Sequence, residues 1–226
     1  MADLLVVVRA GTTDFDLQGR IRGNLDIPLS PGGAVAALTA AHELSAAPPL
    51  ALYTSTAACA METATIVAAA LRLPPRRVPN LPNIDQGLWQ GMLVEEIRRR
   101  QPRLAWHWEA DPWKVAPPDG ELVGEACDRV SGAIEKLLVR HPIGRVALVV
   151  PQPLDRIVRW VVAGEPVGDL WAVDGYGPDV RTLSVAGWSP RSAPVGVAAG
   201  SLGVIPIRPP AALRGENLGH NGLIHR

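Results

Sequence analysis

Arg9, Ser55 and Gln152 each stand just after a short aliphatic run that is typical of a buried strand. In open α/β sheets, ligands bind beyond the C-terminal ends of the strands, so we expect these three positions to meet at one edge of the sheet. The guanidinium of Arg9 is suited to holding an anionic group there. The amide of Gln152 can read a hydroxyl or an amide. This edge is therefore the predicted functional site.

Other reactive side chains flank the same segments. Cys59 stands at a predicted helix N-terminus beside Arg9, where a thiol pKa would be lowered and the thiolate could act as a nucleophile. The alternative is a small buried residue. Asp16 and Asp85 are candidates for an acid, a base or a nucleophile, or else are surface or capping carboxylates. The Ser55–Thr56 pair is interpreted as a helix N-cap.

None of the histidines offers an obvious nucleophile at a strand end. Three of them fall within or at the ends of predicted helices or in a tryptophan-rich insert: His42, His107 and His141. His220 and His225 lie near the C-terminus, where they either fold back over the pocket or belong to a solvated tail.

The elements that must position these residues alternate between strand and helix. Continuous aliphatic runs predict buried strands at residues 4–8, 50–53 and 145–150, and an edge strand at 180–185. Amphipathic or alanine-rich stretches and their caps predict helices at 31–45, 57–71, 94–100, 121–140 and 154–162. This alternation predicts an α/β fold with a mainly parallel sheet.

Composition narrows the function classes. The 226 residues carry 22 basic and 22 acidic side chains, so the chain lacks the overall charge of a nucleic-acid binder. Cys59 and Cys127 have no metal-ligand spacing and form no disulfide framework, so no metal or cofactor is predicted. An acidic N-terminus and the lack of a long apolar run predict a cytoplasmic protein with no membrane segment.

The C-terminal part of the chain differs in composition and in hydrophobic periodicity. Glycine and proline become frequent after about residue 174, and the helical period is lost. We predict an α/β domain over 1–187 and an irregular C-terminal extension over 188–226. This arm could be exchanged between the subunits of a homodimer. A helical insert at about 92–118 holds Trp106, Trp108 and Trp113, which form either an aromatic lid, an exposed partner surface or a small satellite core.

Several blocks, taken in order, resemble the phosphoglycerate-mutase-like branch of the histidine phosphatase superfamily. The first block reads LLVVVRAGTTDFD and the second GRIRGNLDIPLS. Further blocks lie at 53–55 with 62–64, at 85–91 (DQGLWQG), at 118–121 and at 149–152. The resemblance covers about residues 3–165 and implies a three-layer α/β sandwich around a mainly parallel sheet.

The resemblance also implies a catalytic set that this chain replaces. The family's nucleophilic histidine falls on Ala10, and the second arginine of its phosphate clamp falls on Cys59. The acid that protonates the leaving oxygen falls on Asn83, whose amide transfers no proton.

Further departures follow in the same blocks. The second histidine of the family falls on Gln152, and the next residue, Pro153, has no N–H to offer a phosphate. The glutamate of the first block is Thr12, and an asparagine that often touches substrate is Asp16. Arg9 is the part of the clamp that is retained.

These departures predict a catalytically inactive protein that acts by binding a protein partner or as an assembly or regulatory component, because losing a nucleophile can cost on the order of a millionfold in rate. One alternative is a phosphatase or other hydrolase with a non-standard nucleophile such as Cys59. Another is a sensor of a small anionic or polar metabolite that uses the neutralised pocket. The candidate ligand-binding residues are Arg9, Gly11, Asp16, Cys59, Asn83, Gln152 and Pro153.

Overall fold

The computed structural model describes residues 4–173, 175 and 179–191. Within them, five strands form one sheet in the order β3-β2-β4-β1-β5. The strands are β1 (Leu4–Arg9), β2 (Ala51–Thr54), β3 (Pro75–Arg77), β4 (Arg145–Val150) and β5 (Val180–Ser184). β1 pairs in parallel with β4, and β2 in parallel with both β4 and β3, whereas β5 is antiparallel to β1. The predicted mainly parallel sheet is confirmed.

The helices alternate with these strands as predicted. They are α1 (Asp14–Gln18), α2 (Pro31–Ser45), α3 (Ala58–Leu71), α4 (Val94–Arg100), α5 (Pro102–Ala110), α6 (Val123–Arg140) and α7 (Leu154–Ala163). A short 3-10 turn spans Gly87–Trp89. None of the described helices is long and apolar enough to cross a membrane.

The sheet separates two apolar layers, which confirms the three-layer sandwich. Successive side chains of β1 point to opposite faces, because the side-chain period of a strand is two. Val6 and Val8 pack with the small residues of α2 and α3. Leu5 and Val7 pack on the other face with α6, α7 and the insert. α6 contributes a stripe of buried residues at helical spacing, from Val123 to Leu138.

Local capping explains where two of the helices begin. The Ser30 hydroxyl accepts the Gly33 N–H at 3.0 Å and Pro31 follows it, so the predicted start of α2 is confirmed. The N-cap of α3 is Ala57, so the predicted Ser55–Thr56 cap is wrong by one residue. Ser55 instead donates to the Leu81 carbonyl at 2.6 Å and accepts the Ala57 N–H at 3.2 Å, which anchors the strand end to the next loop.

Two elements were not expected from the sequence, and a third was predicted only as part of a helical insert. α1 lies within the stretch predicted as a polar loop, and it is held by a capping box between Thr13 and Asp16. β3 is a three-residue edge strand that begins at Pro75, a residue tolerated there because an edge strand leaves one side unpaired. α5 forms the tryptophan-rich half of the insert and also begins with a proline, Pro102.

The predicted C-terminal arm lies mostly outside the described residues. Residues 188–191 are described, whereas the rest of the arm, including His220 and His225, is not. The boundary between the two predicted segments therefore stays a prediction.

Candidate active site

A small cavity of about 40 Å³ opens at the carboxyl edge of the sheet, where β1 and β4 end. The loop after β1, the turn after β4 and the segment after α7 meet around it. Its polar and aromatic lining comes from Asp16, Arg20, Arg22, Gln86, Gln152 and Trp171. The predicted candidates Asp16, Gln152 and Pro153 thus meet at one cavity.

Arg22 is the buried cation of this cavity, with 5% of its surface exposed. Its Nη1 donates to Asp16 Oδ2 at 3.0 Å and its Nη2 to the Gln152 carbonyl at 2.6 Å. Its Nε is buried and has no hydrogen-bond partner among the described residues. A buried N–H without a partner costs free energy, so Arg22 keeps, within the described part of the chain, an unsatisfied donor beside the cavity.

Asp16 is held rigidly beside Arg22. The Thr13 N–H and the Thr13 hydroxyl reach Asp16 Oδ2 at 2.7 Å and 2.8 Å, and Arg22 donates to the same oxygen. Asp16 is the N3 residue of the capping box of α1, so the contacts that begin this helix also fix the carboxylate. Among the residues that the structure describes, Asp16 is the one carboxylate that lines the cavity.

Asn83 supports the cavity from behind. It is 1% exposed, and its Nδ2 donates to the Gly23 carbonyl at 3.0 Å and to the Gln152 carbonyl at 3.2 Å. Its Oδ1 is buried and accepts no hydrogen bond from the described residues. The Gln152 carbonyl thus receives both Asn83 and Arg22, and the Gln152 side chain donates to the Ala172 carbonyl. The Gln152–Pro153 peptide bond is cis.

Trp171 supplies the aromatic wall. Its indole N–H donates to Gln86 Oε1 at 3.4 Å, and its ring stacks on Trp108 with centroids 6.2 Å apart. Trp89 meets the same ring edge-on at 5.2 Å. These contacts fix the position of the wall, because aromatic pairs prefer stacked or edge-to-face arrangements.

Two of the three insert tryptophans form a satellite core. Trp108 is 1% exposed, and Trp113 packs on Trp160 with centroids 4.8 Å apart. Trp106 alone of the three is largely exposed, beside His107. Of the three alternatives left open by the sequence, the satellite core fits Trp108 and Trp113, whereas Trp106 is exposed.

Arg9 lies beside a different set of groups. It is 9% exposed and its Nη1 is 4.0 Å from Asp179 Oδ2. Arg159 bridges Asp179 at 3.2 Å and Asp155 at 3.5 Å in the same network. Burial raises the pKa of Asp155 to about 6, although Arg159 and Arg9 oppose the shift. Arg9 is not among the residues that line the cavity.

Ala10 and Gly11 are packed between α2 and α3. Ala10 is 8% exposed and belongs to that apolar layer. The Gly11 N–H donates to the Thr63 hydroxyl at 3.0 Å. A Cβ at Gly11 would lie 2.2 Å from the Gly33 carbonyl oxygen, so the close approach of the two backbones requires glycine.

Cys59 is fully buried, and burial raises the pKa of its thiol. A buried, protonated thiol is a poor nucleophile, so the geometry argues against the thiolate chemistry considered from the sequence. The charge of Arg22 opposes this rise more than any other group does. The Arg22 guanidinium is therefore close enough to influence Cys59, the position on which the second arginine of the family falls.

Asp85 holds the backbone of the neighbouring segments by hydrogen bonds. Its Oδ1 accepts the Gly87 N–H at 2.8 Å, and its own N–H donates to Glu121 Oε1 at 2.8 Å. Gly87 has a φ of +48° and passes so close to the Pro118 carbonyl that a Cβ would lie 2.1 Å from it. Asp85 thus joins the two blocks around the cavity instead of lining it.

Sequence reasoning missed Arg22, Arg20, Gln86 and Trp171 as candidates. The available signal was the Arg20–Arg22 spacing in a loop that follows a strand, because alternate residues of an extended segment share a side. Among the described residues, no group of three or more His, Cys, Asp or Glu side chains is placed to hold a metal ion.

Comparison with known proteins defines the class. The model of the histidine phosphatase superfamily (branch 1) matches residues 5–193. Phosphoserine phosphatase 1 of Hydrogenobacter thermophilus is 30% identical over 181 residues, which is 80% of this chain and 84% of that protein. Glucosyl-3-phosphoglycerate phosphatase of Mycobacterium tuberculosis is 29% identical over 198 residues, 83% of this chain and 87% of that protein. The chain belongs to the histidine phosphatase superfamily.

Solved structures agree with this placement. Bacillus stearothermophilus YhfR superposes with a TM-score of 0.75 at 29% identity, covering 86% of this chain and 97% of that one. Mycobacterial glucosyl-3-phosphoglycerate phosphatase in complex with VO3 gives a TM-score of 0.70 at 26% identity, covering 81% of this chain and 97% of that one.

The interpretation of the chain as a catalytically inactive binding protein is wrong. The relatives that match it over most of their length are named as phosphatases. The physical error lay in treating each replaced family position separately, which suggested that the pocket had lost its charge. Arg22 brings a buried guanidinium back to the cavity from a different part of the chain.

Proposed function

We propose that this protein is a phosphatase of small phosphate monoesters that uses a non-standard attacking group. The observation that carries the proposal is the buried Arg22 guanidinium, paired with Asp16 in a cavity at the carboxyl edge of the sheet. The named activities of its relatives support the same reaction class. The proposed partner is therefore a small anionic metabolite.

The phosphoryl group would be held by the cations of the cavity. Arg20 and Arg22 both line it, against the single described carboxylate of Asp16, so the lining favours an anion. Arg20 is itself oriented by the Gly91 carbonyl at 2.7 Å. Charge-assisted hydrogen bonds from guanidinium groups are the strongest that a protein offers to a phosphate.

The attacking group in this proposal is water. Ala10 carries no nucleophile and Cys59 is fully buried, so neither supplies one. The carboxylate of Asp16 accepts a proton from a water molecule while the water oxygen forms a bond to phosphorus. The ester P–O bond breaks, and the leaving oxygen takes a proton from solvent. The products are an alcohol and inorganic phosphate.

The shape of the cavity limits the substrate. At about 40 Å³ it accommodates little more than a phosphoryl group, so the rest of the ester lies outside, against the half-buried Trp171. Leu170 and Pro153 add apolar surface beside it. We therefore propose a small alcohol portion with a partly apolar surface.

The test is hydrolysis of 4-nitrophenyl phosphate by the full chain. We expect turnover by the wild type and its loss in Asp16→Asn, which keeps the size of the side chain and removes the proton acceptor. Asp14→Asn is the matched control, because Asp14 stands exposed in the same short helix and its substitution removes the same charge.

The result is decisive in either direction. Turnover that survives in Asp16→Asn would overturn the role of this carboxylate. Absence of turnover by the wild type on a panel of phosphate monoesters, together with a thermal shift caused by one of them, would replace catalysis by metabolite sensing.

We also propose a cytoplasmic location. Cys59 and Cys127 are both buried and unpaired, as expected in a reducing compartment. Self-association through the C-terminal arm stays a prediction, because most of that arm lies outside the described residues.

A further inference from the structure

A second and larger cavity lies between α6 and the segment that follows β3. Its volume is about 270 Å³, just below the roughly 300 Å³ at which small-molecule pockets usually begin. Its floor is apolar and is made by Tyr53, Val78, Ala133 and Leu137. We call it the basic groove, because its rim carries Lys136 and Arg140 and the Arg76 guanidinium lies beside Tyr53.

The rim cations have no acidic counterpart. None of the three forms an ion pair within the described part of the chain, and no Asp or Glu lines the groove. The whole chain carries equal numbers of basic and acidic side chains, so this face concentrates a charge that the rest of the molecule balances. All three side chains are exposed and can reach a ligand.

The spacing of these cations does not stabilise the folded chain, because the positive charges repel one another. Lys136 and Arg140 stand four residues apart in α6, on the face that also carries Ala133 and Leu137. Like charges at this spacing destabilise an isolated helix. Arg76 adds a third positive charge, since its guanidinium lies 6.0 Å from the centre of the Tyr53 ring. A bound anion would remove this repulsion.

The floor of the groove shows the same positive potential. The Tyr53 hydroxyl is hydrogen-bonded to His141 Nε2 at 2.8 Å, and the Arg76 guanidinium lies 6.0 Å from the centre of the Tyr53 ring. The pKa of His141 is lowered by burial first, and then by Arg76 and Arg140. The cations of two separate elements therefore converge on one place.

The groove also offers a polar contact beside its apolar floor. It lies between the segment that follows β3 and the C-terminal half of α6. Asn80, in the next loop, adds an amide that can donate or accept.

We propose that the basic groove binds a small organic dianion, whose phosphoryl or paired carboxylate charge meets Arg76, Lys136 and Arg140 while an apolar body rests on Tyr53 and Leu137. This site is separate from the proposed active site and does not depend on phosphatase activity. Its ligand is bound and not transformed.

Calorimetric titration of the full chain with phenylphosphonate tests the proposal. This probe carries a dianionic head on an aromatic ring and has no ester bond to hydrolyse. We expect saturable binding at a site that Arg76→Ser/Arg140→Ser weakens by about tenfold or more, because two charge-assisted contacts are lost. Both side chains are exposed, so the variant keeps its core; its melting temperature checks the fold.

The matched control is Arg99→Ser/Arg103→Ser. It removes the same charge from exposed positions on the insert, away from the groove. Binding at this site that weakens equally in both double variants, or in neither, overturns the proposal. Inorganic phosphate is the second probe, and we expect it to bind the same site more weakly. Equal affinity for the two probes would contradict the role of the apolar floor.

Turnover measured on the same proteins separates the two proposals. The groove variant should keep the activity of the wild type, since neither residue lines the catalytic cavity. If the chain hydrolyses no phosphate monoester, the groove titration still stands or falls by its own result.

Discussion

Two buried arginines lie at the same edge of the sheet, and Arg22 lines the small cavity there whereas Arg9 does not. Arg22 faces a single carboxylate, Asp16, and borders open space. Arg9 lies close to Asp179 and acts on the buried Asp155, within a network that Arg159 completes. The same residue type, buried to a similar degree, thus has a different surrounding in each place.

The difference shows what makes a buried cation available to a ligand. The carboxylates around Arg9 already balance its charge, so an incoming anion gains little there and must compete with them. Around Arg22, the second cation Arg20 leaves the lining with an excess of positive charge. The surplus of charge at the cavity, rather than burial alone, therefore distinguishes a binding arginine from one that holds the structure.

The largest expected effect is on catalysis at Arg22. Arg22→Ala should lower kcat/KM for 4-nitrophenyl phosphate about a thousandfold, because two charge-assisted contacts of about 2 kcal/mol each are lost. Arg22→Lys should restore part of this, since it keeps the charge without the planar fork. Arg9→Met, measured in the same assay, should lose less; a larger loss for Arg9 would reverse the comparison.

The next effect is on stability and concerns the Arg9 side. The pKa of Asp155 rises from 3.8 to about 6 on folding, because burial favours the protonated form. Stability from this group is therefore fully present below about pH 3.8 and is lost as the pH rises through about 6. The loss corresponds to about 3 kcal/mol. Urea unfolding between pH 4 and pH 7 should show this step, and Asp155→Asn should remove it.

A smaller shift separates the two arginines directly. Arg9 lowers the pKa of Asp155, second to Arg159 among the opposing charges, so Arg9→Met should raise that pKa further and extend the loss of stability to higher pH. Arg22→Met should leave the step where it is, because Arg22 does not act on Asp155. The pH at the midpoint of the step in the three proteins is the measurement. An equal shift in both variants would mean that Arg22 influences the pKa of Asp155 as strongly as Arg9 does.

The smallest effect concerns Cys59. Of all the charged groups, Arg22 lowers the pKa of its thiol most. Cys59→Ala should leave turnover nearly unchanged and cost about 1 kcal/mol of stability, since the thiol is a small buried group with a raised pKa. Iodoacetamide should label neither Cys59 nor Cys127 in the folded chain, and both after unfolding. Loss of activity on rapid labelling of the folded protein would restore Cys59 as a nucleophile.

Much of the fold followed from local pattern. β4 has the predicted bounds and β1 differs by one residue, because an uninterrupted aliphatic run is stable only when it is buried on both faces. α1 and β3 were missed because each is too short to show a period. They are stabilised by a side-chain cap and by pairing with a neighbour that is distant in sequence.

The site was predicted less completely. Asp16, Gln152 and Pro153 were expected near one edge, and the structure places them at one cavity. Arg22 was missed as a candidate, because its position depends on contacts with Gln152, which lies 130 residues away in sequence. The sequence shows which family position has changed, but not which residue from another segment occupies the vacated space.

The sequence by itself determined the superfamily, the alternation of strands and helices, and the sheet edge to which Asp16, Gln152 and Pro153 belong, since these depend on periodicity and on motif order along the chain. The tertiary structure alone decided that Arg22 is the buried cation of the cavity, that Arg9 and Arg159 both lie close to Asp179, and that Cys59 is buried. These depend on burial and on distances between segments that are far apart in sequence, and electrostatic free energies change with both.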